Sequence, residues 1–115
     1  MVIPTAPGPR LTDDDVDRLF HALADATRRD IVTRTLHADT SVSALAARYE
    51  MSFTAVHKHV LVLENAGLVT KHRRGREKLV RGNPATLHSA RTLLNRYETL
   101  WRERTDRLDA LLAED

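Results

Sequence analysis

Residues 41–81 constrain the fold more than any other stretch of this chain. Ser43-Ala44-Leu45-Ala46-Ala47-Arg48-Tyr49 has the composition of a short helix, with Ser43 as its expected cap and Leu45, Ala46 and Tyr49 turned inward. Met51-Ser52-Phe53 forms a tight turn. Ser52 then caps a second helix over residues 54–66, where Val56, Val60 and Leu63 recur at i, i+4 and i+7 and define one buried stripe. Ala66-Gly67 stops it, because glycine takes the left-handed conformation past a helix end without steric strain. Two short strands are expected next, residues 68–73 and 76–81. They are joined at Arg74-Gly75 and carry Lys71, Arg73, Arg74, Arg76, Lys78 and Arg81. Two turn-linked helices followed by a basic hairpin make a winged helix-turn-helix. One helix braces the other, whose first turns are left free to enter a DNA groove about 12 Å wide.

The flanks extend this unit. Thr12 followed by Asp13-Asp14-Asp15 is a helix start, a hydroxyl cap with acids where the dipole favours them, and Val16, Leu19, Phe20 and Leu23 carry the helix to about Ala24. Asp25-Ala26-Thr27 restarts a helix containing Ile31, Val32 and Leu36 that ends near His37. Asn83-Pro84 opens a last helix over residues 85–113, uninterrupted by proline or glycine. Leu87, Leu94, Trp101 and Leu108 recur at heptad spacing, with Ala90, Tyr97 and Leu111 on the companion row and Arg104 interrupting it. The expected architecture is mainly α with a small β-hairpin, in the order α-α-α-α-β-β-α. Residues 12–115 form one domain behind a loose arm over residues 1–11.

Charge is distributed unevenly. Residues 51–82 carry seven Lys and Arg (58, 71, 73, 74, 76, 78, 81) against Glu64 and Glu77, whereas residues 96–115 carry four Arg against six acids. A basic middle between acidic ends fits a polyanion-binding face with a separate surface for another contact. No apolar run approaches the ~20 residues of a membrane span, and no signal-peptide design opens the chain, so a cytosolic protein is expected. The chain has no cysteine, which removes disulfides, thiolate nucleophiles and thiolate metal ligation. No nucleophile–base pairing, paired acids or phosphate-binding glycine loop marks an enzyme.

The candidate DNA contacts are Ser52, Phe53, Thr54, His57, Lys58 and His59 on the second helix of the pair, and Arg73, Arg74, Arg76 and Lys78 on the hairpin. Phe53 and Thr54 stand at the helix entry, where base edges are met. Lys58 suits a phosphate. Ser52 serves as a cap as well as a phosphate contact, and for His59 a packed, hydrogen-bonded role competes evenly with a phosphate contact. Arg74 and Arg76 at the tip reach along the backbone or into a minor groove. An edge strand also uses Lys and Arg to resist aggregation, which accounts for one or two charges but not for the cluster.

Three segments together resemble the ArsR-type (ArsR/SmtB) winged-helix regulators of prokaryotes. They are Leu19-Phe20-His21-Ala22-Leu23-Ala24-Asp25-Ala26-Thr27-Arg28-Arg29-Asp30-Ile31, Val42-Ser43-Ala44-Leu45-Ala46, and the run from Met51 to Val69 containing Ala55-Val56-His57-Lys58-His59-Val60 and Val62-Leu63-Glu64-Asn65-Ala66-Gly67-Leu68. The resemblance spans about residues 12–110. It implies a homodimer built on the terminal helices that represses an operator until a signal releases it. Ala26 stands where the family usually has proline, His57 where it has serine, and Phe53 where a polar residue is common, suiting an apolar contact such as a thymine methyl.

The metal-sensing types in the family use cysteines, or an Asp-x-His and His-x-x-Glu set on the last helix. Here those positions read Thr86, His88, Thr99 and Arg102, so the resemblance is to the metal-independent branch, and neither metal nor cofactor is expected. The expected dimer interface is Val16, Leu19, Phe20, Tyr97, Leu100, Trp101 and Leu108, with an unknown small effector as a further partner. The alternatives are a Zn- or Ni-responsive repressor with His and carboxylate ligands, and a winged-helix protein-interaction module.

Overall fold

In the computed structural model, which describes residues 10–114, the elements run α1 (Asp13–Leu23), α2 (Ala26–His37), β1 (Thr40–Ser41), α3 (Val42–Ala46), α4 (Phe53–Asn65), β2 (Val69–Arg74), β3 (Glu77–Gly82) and α5 (Pro84–Leu112). Residues 1–9 of the expected arm lie outside the described residues. Helix α1 begins in a complete capping box: Thr12 Oγ1 accepts from the Asp15 amide, and Asp15 accepts from the Thr12 amide. Helix α4 ends in a Schellman turn, with Gly67 at φ 76°, its amide donating to the Glu64 carbonyl and the Leu68 amide to the Leu63 carbonyl.

The expected element order lacks one strand. Thr40–Ser41 pairs antiparallel with β3, giving a three-stranded sheet in the order β1-β3-β2. Two residues are too few to show a period-two pattern, so only the pairing partner reveals them. The same strand corrects the α3 cap. Ser41, not Ser43, accepts from the Ala44 amide, because β1 delivers the chain to Val42 in extended geometry. The hairpin loop is Gly75-Arg76 rather than Arg74-Gly75, with Arg74 paired to Glu77.

One core joins all the helices. Leu19 and Ala22 of α1, Ile31 and Val32 of α2, Val42 and Leu45 of α3, and Val56, Val60 and Leu63 of α4 meet Leu68, Val69, Val80 and Ala90. Leu19 was expected at a dimer face but is 0% exposed inside this core, because it falls on the α1 face turned to α2 and α4. Helix α5 joins the core only through its first turns; none of the described residues beyond Ala90 is buried.

Candidate nucleic-acid interface

The position of α4 is set by the Ala22–Arg29 segment. Asp25 caps α2, accepting from the Arg28 amide, and that bond is the main cause holding its carboxyl below the usual range. Arg28 turns back to the end of α1, donating from Nε to the Ala22 carbonyl (2.8 Å) and from Nη2 to the His21 carbonyl (3.0 Å). Arg29 donates to the Leu23 carbonyl at 2.7 Å. Two guanidinium groups thus donate to the last carbonyls of α1, that of His21 also accepting from the Ala24 amide, and complement its dipole.

Arg28 Nη1 also lies 3.2 Å from His59 Nδ1. Arginine only donates, so Nδ1 is the acceptor and the ring proton sits on Nε2. His59 is therefore engaged in holding α4 against α1 and α2. Of the two roles weighed for it, the structure shows the packed one.

Helix α3 is fixed from its other end. The Tyr49 hydroxyl donates to Asp30 Oδ2 at 2.5 Å, and Arg34 Nε donates to the same oxygen at 2.7 Å. These bonds join α2 to the turn before α4. Gly67 links α4 to α5, since its carbonyl accepts from Thr86 Oγ1 (2.7 Å) and Asn83 Nδ2 (2.9 Å).

With α4 held in this way, Ser52, Phe53, Thr54 and Lys58 stand exposed on one side and His57 is half-buried beside them. Ser52 Oγ caps α4, accepting from the Ala55 amide at 3.1 Å. The Phe53 and His57 rings stack at 6.2 Å and 12°, one turn apart. They form one wall of a groove of about 340 Å³ whose other walls are Ser41, Val42 and Ser43 at the start of α3, and Lys71, Arg76, Glu77 and Lys78 on the hairpin. Ser41, Val42 and Glu77 belong to no basic pattern in the sequence, and the groove reaches the first two only because β1 pairs with β3 and sets the start of α3 beside the hairpin.

The hairpin cations divide into two sets. Arg81 forms a two-pronged pair with Asp39 (3.0 and 2.7 Å) that lowers the Asp39 pKa, and Lys71 lies 3.5 Å from Glu64. These two brace the sheet against the end of α2 and against α4. Lys58, Arg73, Arg74, Arg76 and Lys78 enter none of the ion pairs among the described residues, and all five are exposed. No group of three or more His, Asp or Glu side chains among the described residues is arranged to hold a metal ion. Among the described residues, no helix is long and apolar enough to cross a membrane.

No family model matches the chain. It is 40% identical over 83 residues to the helix-turn-helix-type transcriptional regulator Rv2034 of Mycobacterium tuberculosis, an alignment covering 72% of this chain and 78% of the relative. Among solved structures it is similar to an ArsR-like transcriptional regulator from Rhodococcus sp. RHA1, with TM-score 0.80 and 32% identity over 89% of this chain and 94% of that one. A homodimeric winged helix-turn-helix DNA-binding domain from Mycobacterium bovis, a possible ArsR-family transcriptional regulator, superimposes with TM-score 0.59 and 25% identity over 80% of this chain and 93% of that one.

Proposed function

Because the chain belongs to the ArsR family of helix-turn-helix transcriptional regulators, we propose that it is a homodimeric repressor that lays α4 into the major groove of an operator and sets the β2–β3 wing on the flanking backbone and minor groove. The observation that carries this is the division of the charges. Five exposed cations on α4 and the hairpin, Arg76 and Lys78 of them lining the groove, enter no ion pair among the described residues, while Lys71 and Arg81 are engaged in bracing. In this reading Phe53, Thr54 and His57 meet base edges. Lys58, Arg73, Arg74, Arg76 and Lys78 meet phosphates, and the Ser52 cap stands close enough to add one. Residues 12–115 act as a single DNA-binding and dimerising unit on the chromosome of a prokaryotic cytoplasm. Twofold symmetry sets the two α4 helices on half-sites about 34 Å apart. An effector bound to the dimer would control release.

The test is selection of bound duplexes from a random or genomic pool, followed by affinity measurements across salt. Ten phosphate contacts per dimer put the slope of log K against log salt near a limit of about −9. Arg74→Ala with Arg76→Ala is expected to weaken binding to all sequences and flatten that slope by up to about 4. Thr54→Ala or His57→Ala is expected to change the selected sequence instead. A protein that binds its selected duplex no better than random duplex at moderate salt is not a specific repressor.

A further inference from the structure

One residue of the groove runs against the rest of the interface. Lys71, Arg76 and Lys78 line it as cations, and Glu77 is its only acid. Glu77 opens β3, stands opposite Arg74 in the hairpin register and is exposed. Its carboxylate enters none of the ion pairs among the described residues, although Arg74 faces it and Arg76 and Lys78 are its chain neighbours. The other acid of this stretch, Glu64, is turned to Lys71. Glu77 is thus a lone negative charge among cations, with no ion pair of its own among the described residues, on a surface whose exposed cations attract phosphate.

A wing that only gripped phosphates would be weakened by such a residue on every DNA sequence. A carboxylate can, however, accept an N–H, and phosphates and sugars do not supply one. Exocyclic base amino groups do, and in the minor groove, where the wing is set, the one that base pairs present is guanine N2. We propose that Glu77 is a specificity-determining residue of the wing. It penalises DNA held by phosphates alone and is satisfied where a base amino group meets it, at a G·C pair beside the stretch read by α4. Discrimination then comes from a repulsive element as much as from attractive ones. The proposal rests on the DNA-binding reading above.

The test compares Glu77→Gln with the charge-matched control Glu103→Gln on the exposed part of α5, each checked for an unchanged melting temperature. Affinities of the full-length protein are measured at one salt concentration for a wild-type-selected duplex and for random duplex, and the selection is repeated with the variant. Glu77→Gln is expected to bind random duplex about three- to tenfold tighter. It should bind the selected duplex no tighter and show a weaker G·C preference at the wing position, because the amide oxygen still accepts an N–H while the charge that penalises other sequences is gone. Glu103→Gln should change neither affinity by more than about twofold. An unchanged ratio of selected to random affinity, whether both rise or neither does, overturns the proposal. A wild-type protein that prefers no selected duplex instead overturns the DNA-reading assignment, and this proposal with it.

Discussion

Tyr49 shows how much a single polar contact controls. Its hydroxyl and the Arg34 guanidinium converge on one oxygen of Asp30, so the residue before the α3–α4 turn is tied to the middle of α2. Burial is the larger reason, and the Asp30 carboxylate the second, that the phenol is pushed up to about 12. Asp30 is held below the usual carboxylate range, by the Tyr49 hydroxyl first and Arg34 second. A raised folded-state pKa means stability that is complete below the unfolded value near 10 and lost as pH rises to about 12. The depressed Asp30 contributes stability above its ordinary value, which is lost as pH falls through its folded one. Tyr49→Phe is therefore expected to lower unfolding stability at neutral pH by about 1 kcal/mol and to remove the alkaline loss. Urea titrations at pH 7 and above 10, with phenolate absorbance followed in a Tyr97→Phe background, check both.

At the level of elements, the wing is positioned by the contact between β3 and α2. A Cβ at Gly82 would lie 2.7 Å from Leu36 Cδ2, 2.8 Å from Cγ and 3.0 Å from its Cα. The last is backbone and cannot swing aside, so Gly82→Ala must push the strand off the helix. The expected cost is about 1–3 kcal/mol, together with weaker DNA binding because the wing moves with β3. Adding Leu36→Ala should restore only part of the stability, since the clash with the α carbon stays; full recovery in thermal melts would contradict this account. The Arg28 junction is the counterpart for α4. It joins α1, α2 and the reading helix through one guanidinium, and Arg28→Ala is expected to cost about 1–3 kcal/mol by removing the donor to the Ala22 carbonyl and the link to His59.

At the scale of the whole molecule, the chain is more extended than a compact domain of its length. Its radius of gyration is 19.0 Å, against about 13–14 Å for a compact domain of this length. The difference lies in α5, whose outer part presents Leu94, Tyr97, Leu100, Trp101, Leu108 and Leu111 to solvent, with Trp101 64% exposed. On α1, Phe20 is also exposed and Val16 is half-buried. A contiguous apolar surface of this kind calls for a protein partner, and the proposed second copy supplies one. Trp101→Glu is expected to yield monomers in sedimentation and to weaken operator binding by 100-fold or more, on the order of 3 kcal/mol, because two half-sites are no longer engaged together. The only tryptophan gives a second measure: its emission should shift to the red as the wild-type protein is diluted into monomers.

Periodicity and punctuation within the sequence were enough to determine five helices, the hairpin, the α4 stripe of Val56, Val60 and Leu63, and the caps at Thr12 and Ser52, because each is a local matter of spacing and of orphan backbone groups. Tertiary structure decided whatever depends on a distant partner. It made Thr40–Ser41 a strand through β3, moved the α3 cap to Ser41, drew Leu19 into the core, engaged His59 with Arg28 and separated Arg81 and Lys71 from the free cations. A side chain's type sets which contacts it can make. Which of them it makes is settled only by what the fold brings within about 3 Å of it.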